Sequence, residues 1–351
     1  MKKRLLALFT VLLIAFSNNA MMADAYLIDQ PADSLFSTSE QYPDFTTETG
    51  SDLKNTQVDE IYRLYDALVA AYPGYARKEL LGNEASEEGL PVYLYTFEPL
   101  RPASSVKTLF PAIFLTCGVH GEEKAPAIVS YLLMKHLCED WQNQSLLETI
   151  RHNVKFLIIP AANPYGWNHN QRRNANNVDI NRNFPDGWVL GDPTRSTYGG
   201  PAPLSEPESG FIRTVFQDNP DIAMMFDFHN FFRSPERREF IVVYSTNAFT
   251  SHVSRNLISS LTRKWRGDFD FFPEDENYFA GRASSGSAGM VAGYAYNTWN
   301  IRHSGTFEVC WRLLIDETST SYNQDMFKAG VETLANFLLI SLRELNHMPT
   351  R

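Results

Sequence analysis

The 351-residue chain predicts an α/β fold, a single domain with a central, mostly parallel, mixed twisted sheet flanked by helices on both faces. Three observations predict it. Short apolar runs bounded by turn residues recur at 112–116, 154–160 and 223–229, as strands buried on both faces require. Segments of helical period separate them, the pattern of parallel strands joined by crossover helices. The composition is 44% hydrophobic over a length sufficient for one large core.

In chain order, Lys2, Lys3 and Arg4 precede an apolar stretch at 5–16 and the small-residue pattern Ala23-Asp24-Ala25, the layout of a secretory signal peptide cleaved after Ala25. The apolar stretch falls short of the ~20 residues that span a bilayer, so no stable membrane association is expected after cleavage. Residues 26–55 are polar, Ser/Thr-rich and aperiodic, an extended N-terminal arm. The remainder, 56–351, reads as one catalytic-size domain.

That domain opens with a helix from Val58 that puts Ile61, Leu64, Tyr65 and Leu68 on one face and ends at Pro73-Gly74. A hairpin follows, its arms 77–82 and 90–99 flanking the turn-rich 83–89. Next come the strand 112–116, a helix at 125–138 and the strand 154–160. Further strands are expected at 223–229, 240–246 and 304–310, before a closing helix at 323–345.

A formal net charge of −10 makes nucleic acid and anionic lipid poor partners. Three scattered cysteines, Cys117, Cys138 and Cys310, form no CxxC pair and lie in apolar stretches, as buried thiols do.

The chemistry concentrates at strand ends, where open α/β sheets bind ligands. His120 and Glu123 sit where the 112–116 run turns into a helix, spaced so that both side chains can point the same way. Imidazole nitrogen and carboxylate oxygen are zinc ligands, and a catalytic zinc takes three protein ligands with one position open. Of the remaining histidines, His229 ends an apolar strand in the same way and is the best third ligand by position. His136 lies inside an apolar helix, and Glu122 is expected to face away. In the Asn- and Arg-rich loop 163–188, the run Asp179-Ile180-Asn181-Arg182-Asn183-Phe184 sets an acid, amides and a guanidinium between apolar anchors. An arginine fork grips a carboxylate through two parallel hydrogen bonds, so such a pair suits a substrate's terminal carboxylate. Glu308, in the middle of a β-prone apolar segment, is costly unless paired or working, and could be a general base on water or a solvent-facing strand residue.

Taken together, His120-x-x-Glu123, Arg172, Asn181-Arg182, His229 and Glu308 resemble the zinc carboxypeptidase family of the funnelin type, over roughly residues 56–345. The resemblance implies a zinc-exopeptidase-like fold and one Zn2+ per chain, held by His120, Glu123 and His229. It implies that Asp179 orients His120, that Asn181 and Arg182 hold the C-terminal carboxylate, and that Arg172 polarises the scissile carbonyl. Glu308 matches the general base and acid, which assists attack of zinc-bound water on the C-terminal peptide bond. The implied partner is a peptide with a free C-terminal carboxylate, met outside the cytoplasm.

Two departures stand out. The family's substrate-capping tyrosine has no clean match among Tyr278, Tyr294 and Tyr296, and Tyr278 is the choice because a Gly/Ser-rich turn follows it. No acidic residue there would select C-terminal Lys or Arg, so an apolar or small side chain is the default. A related zinc amidohydrolase, acting on cell-wall peptides or N-acyl amino acids, shares the same pieces. A binding module that has kept the fold and lost the chemistry is the reading from a different class.

Overall fold

The computed structural model describes residues 56–99, 110–143, 145–231, 241–245, 279–283 and 288–310, together with the helical residues 330–331, 334–335 and 337–338. The expected leader, the arm and Tyr278 lie outside the described residues. Eight strands form one mixed sheet: β1 (Ala76–Asn83), β2 (Pro91–Phe97), β3 (Ala112–Cys117), β4 (Lys155–Ile159), β5 (Ile222–Phe231), β6 (Ile241–Ser245), β7 (Phe279–Ala283) and β8 (His303–Cys310). Their spatial order is β1-β2-β4-β3-β5-β8-β6-β7. The central block β4-β3-β5-β8 is parallel throughout. The β1–β2 hairpin joins it antiparallel on one side, and β6 joins antiparallel on the other.

The helices are α1 (Val58–Ala71), α2 (Ala125–Glu139), α3 (Ser145–Asn153), α4 (Pro164–Asn168), α5 (Pro207–Asp218) and α6 (Val291–Asn297). α1 begins where the Glu60 carboxylate accepts from the Gln57 amide at 3.0 Å, satisfying one of the helix's first free donors. Its predicted stripe is buried at Ile61, Tyr65 and Leu68. α2 is buried almost all round, as a helix must be when it lies between a sheet and other helices. Among the described residues no helix is long and apolar enough to cross a membrane.

Side-chain alternation along the strands divides the core in two. Ile113, Leu115 and Cys117 of β3, with Met224, Phe226 and Phe228 of β5, pack toward α1, α2 and the side chains of Val331, Leu334, Ala335, Phe337 and Leu338. Phe114 of β3 and Met225 of β5 face the opposite way, onto Ile212, Val215 and Phe216 of α5 and Val291, Tyr294 and Ala295 of α6. Each fully buried aliphatic or aromatic side chain contributes about 1.5–3 kcal/mol, so both layers are needed to hold a sheet this wide. On this second face the apolar run stops before the strand ends. Thr116, Asp227 and His229 take over the same alternating positions, and β8 continues the row with Thr306 and Glu308.

The long connection from α4 to α5 has little apolar content and is tied internally instead. Asn183 donates to the carbonyls of Gly199 and Ala202 and to Ser205, and its own oxygen accepts from the Glu206 amide and the Ser209 hydroxyl. Asn174 donates to both Glu206 and Glu208. Glu208 is 1% exposed, and its Oε1 has no hydrogen-bond partner. Burial pushes its carboxyl up to about 7, helped by the nearby charges of Glu206 and Glu84 and opposed by the Asn174 hydrogen bond.

The expected strands and hairpin are present, with bounds shifted by one or two residues. α3, α4, α5, α6 and β7 are additional, α4 lying in the stretch 163–188 that the sequence presents as a loop. Of the closing helix, the described residues are helical and bury Val331, Leu334, Ala335, Phe337 and Leu338.

Candidate metal centre

β3 ends at Cys117, and Gly118 then takes a left-handed backbone conformation, φ 61°, which lets the chain turn off the sheet toward α2. In the turn that follows, the Glu123 amide donates to the His120 carbonyl at 3.1 Å. Gly121 sits where this turn touches the backbone of α4, and a Cβ there would overlap the Gly166 carbonyl carbon and the Trp167 nitrogen. A turn this tight puts the His120 and Glu123 side chains together: Nδ1 of the ring lies 3.0 Å from Oε1 of the carboxylate.

The third member comes from the neighbouring strand. Nδ1 of His229 is 2.7 Å from Oε2 of Glu123, so one carboxylate spans both rings. Their centroids are 4.6 Å apart. One ligand atom from each of His120, Glu123 and His229 can be chosen so that all lie within 4.8 Å of one another, and among the described residues this is the group of that kind. Two imidazole nitrogens and one carboxylate oxygen, with the fourth direction left to water or substrate, are the donor set of a catalytic zinc.

Each ring is held from behind by a second carboxylate. Nε2 of His120 lies 3.2 Å from Asp179 Oδ1. Asp179 is fully buried, caps the 3-10 turn Ile180–Arg182 through the Asn181 amide at 3.0 Å, and takes Nε and Nη2 of Arg172 on its other oxygen at 3.0 and 2.8 Å. Nε2 of His229 meets Oδ2 of Asp227. Both rings are therefore tied through Nε2 and present Nδ1, the arrangement that fixes a ligating histidine's orientation.

The electrostatics follow from this packing. Burial alone would raise Glu123, but the charges of His120 and His229 and hydrogen bonds to both outweigh it and hold the carboxylate well below its ordinary range. Burial opposes protonation of His229, yet Asp227 and then Glu123 raise it well above an ordinary histidine. His120 is raised too, against its own burial, by Glu123 and Asp179. Asp179 is lowered to about 2: burial pushes it up, and its hydrogen bond to His120, the His120 charge and the two arginines pull it down. Such a cluster binds a dication in exchange for protons.

The other expected residues fall around this centre. Arg172 brings Nη1 to 3.1 Å from His120 Nδ1, so its guanidinium reaches the side of the ring that faces Glu123. Arg182 is half-buried and donates to the Asn181 carbonyl at 2.6 Å. Asn181 is buried, with its amide nitrogen on Asp227 at 2.9 Å and its oxygen accepting from the Val291 amide at 3.0 Å. Glu308 is half-buried and stands in register with His229 across β5 and β8, hence on the same face of the sheet. Glu122 is half-buried rather than plain surface, and burial raises its carboxyl. Tyr294 packs in the core against Phe184 and Phe216, and Tyr296 accepts from Arg302. Tyr294, 4% exposed, is thereby committed to the core. Cys117 and Cys138 are buried free thiols, pushed up to about 12 by burial and so chemically quiet.

Sequence reasoning missed Asp227. Its signal was available: an acid inside the apolar run Met224-Met225-Phe226-Asp227-Phe228-His229, two residues before a candidate ligand and therefore on the same face of the strand.

The family model described as zinc carboxypeptidase matches residues 61–313. Carboxypeptidase SOL1 of Arabidopsis thaliana is 32% identical over 108 residues, covering 31% of this chain and 21% of that protein. Carboxypeptidase A1 of Sus scrofa is 26% identical over 223 residues, covering 58% and 51% respectively. The chain thus spans about a fifth of the first relative and half of the second. The crystal structure of thrombin activatable fibrinolysis inhibitor superimposes with a TM-score of 0.63 at 18% identity, covering 82% of this chain and 75% of that one, a likeness of fold.

Proposed function

Because this chain belongs to the zinc carboxypeptidase family, we propose that it removes the C-terminal residue from peptides bearing a free C-terminal carboxylate. The observation that carries the reading is the convergence of His120, Glu123 and His229 on one small volume at the carboxyl ends of β3 and β5. These three residues would hold one zinc per chain. When bound, zinc supplies Lewis-acid activation of water and of the scissile carbonyl.

The chain's own groups do the rest. Glu308, beside His229 at the end of β8, takes a proton from the attacking water and later delivers one to the departing amine. The Arg172 guanidinium, already at the edge of the His120 ring, stabilises the negative charge that develops on the carbonyl oxygen. Arg182 offers its fork to the substrate's terminal carboxylate, which places the last peptide bond, and no other, at the reacting groups. Asp179 holds the His120 ring from behind. Tyr278 is the residue proposed to close over the bound substrate. The basic, apolar and small-residue run at 1–25 supports export, so that the enzyme meets its peptides outside the cytoplasm.

The test is an assay of the zinc-loaded protein on N-blocked dipeptides, on the same dipeptides with amidated C-termini, on N-acyl amino acids and on muropeptide stems. The reading expects cleavage of the free acids, little of the amides, and loss of activity on chelation. Turnover confined to acylated amino acids or to muropeptide stems would replace it with the amidohydrolase reading.

A further inference from the structure

We propose that Lys124 is a positioning residue for the metal ligands, fastening the turn that carries His120 and Glu123 to α4 through the backbone carbonyl of Thr56. The proposal rests on the metal-site reading above. Lys124 directly precedes α2, and two observations set it apart. It stands at a helix N-terminus, where the helix dipole opposes a cation, and its side chain does not cap that helix. It is also 0% exposed, although lysine is almost never fully buried without a partner.

The partner accounts for both. Nζ donates to the Thr56 carbonyl at 2.8 Å and lies 5.4 Å from the centroid of the Trp167 ring, within reach of an attraction to its π-face. Nε1 of the same indole donates to the same oxygen at 2.9 Å. One buried residue just ahead of α1 thus receives a donor from the metal turn and a donor from α4. Thr56 is itself held in place, because two residues further on the Val58 amide donates to Asn168 Oδ1 at 2.8 Å, in the same short helix. Gly166 and Trp167 are also where Gly121 meets backbone. The turn is therefore anchored to α4 at two points, and each proposed ligand is next in the chain to one of them: His120 to Gly121, and Glu123 to Lys124.

The sign of the effect separates this role from plain electrostatics. Removing a positive charge beside a dication site would tighten binding if charge were all that mattered. Loss of an anchor weakens it. The readouts are the zinc dissociation constant, by chelator competition, and the visible spectrum of the cobalt-substituted protein. Lys124→Met keeps most of the buried length and removes the donor, so it should weaken zinc binding about tenfold or more and alter the cobalt spectrum. Trp167→Phe keeps a ring and removes the other donor to Thr56. It should act in the same direction, and it serves if the lysine variant does not fold. A lysine that only supports the fold would lower the denaturant midpoint of the metal-free protein and leave zinc affinity and cobalt spectrum as in the parent. A smaller loss of zinc affinity in the folded variant, no change, or tighter binding overturns the proposal. A parent protein that binds no zinc would sink the metal-site reading and this proposal with it, whereas an unaltered variant of a zinc-binding parent sinks this proposal alone.

Discussion

His229 and Glu308 are paired in register across two adjacent parallel strands, β5 and β8, and so share one face of the sheet. The proposed third metal ligand and the proposed proton carrier are therefore positioned by the same strand pairing. This is a more rigid support than a loop gives, because a one-residue slip of either strand would turn its own side chain to the opposite face and part the pair.

Glu308→Gln should then separate chemistry from metal binding. The substitution keeps shape and removes the basic oxygen, so kcat is expected to fall by about 10²–10⁴ with zinc content unchanged. Metal analysis and steady-state kinetics on one preparation check both halves. Activity near the parent's would assign the proton transfer to another group.

Arg182→Ala removes the fork from the proposed carboxylate clamp. Loss of a charge-assisted pair costs about 2–3 kcal/mol, or roughly 30- to 150-fold in kcat/KM for free-acid substrates. Amidated peptides should be affected little. A uniform loss on acids and amides alike would argue that Arg182 supports the fold of the 3-10 turn instead of gripping substrate.

Gly121→Ala tests the close approach of the metal turn to α4. The added methyl meets backbone at Gly166 and Trp167, which cannot rotate away. A loss of about 1–3 kcal/mol in stability, read by denaturant unfolding of the metal-free protein, is expected, together with weaker zinc binding as the turn is pushed open. An alanine variant as stable as the parent would show that the turn relaxes freely.

Glu208 gives the pH prediction. Its carboxyl is raised from 4.5 to about 7 by burial, so the fold favours the neutral form. The sign follows: its stabilising contribution is complete below about pH 4.5 and is lost as pH rises through about 7. A shift of this size corresponds to about 3 kcal/mol as an order of magnitude. Subtracting the Glu208→Gln unfolding profile from the parent's should reveal a downward slope across that window, with the glutamine variant the more stable above it. Parallel profiles would mean that Glu208 stays charged in the folded protein.

The central strands and the grouping of His120, Glu123 and His229 were legible because they obey local rules: an apolar run, a turn, then a polar residue at the strand's carboxyl end. Asp227 was not, because its partners lie far off in sequence; Thr116 is 111 residues away and Asn181 is 46. The same holds for the asparagines of the long loop. Composition marks Asn174 and Asn183 as turn-formers, and only the folded chain reveals that they supply buried ties. β7 is hidden in a Gly/Ser-rich stretch because in Phe279-Ala280-Gly281-Arg282-Ala283 only Phe279 favours a strand, and pairing with β6 makes it one. α5 and α6 carry glycines inside them, Gly210 and Gly293, and α6 is only 7 residues long; both are held by packing against the sheet.

Glu123 and His229 are 106 residues apart, and what brings them together is the pairing of β3 with β5. Contacts of such long sequence separation form late, after the loop-closure entropy between them has been overcome. A zinc ion arriving at the unfolded chain finds at most the adjacent pair His120 and Glu123, so the metal stabilises a finished sheet more than it nucleates one. During refolding, recovery of tight zinc binding should thus lag the return of helical signal, which makes the metal centre a built-in clock for the closing of the central sheet.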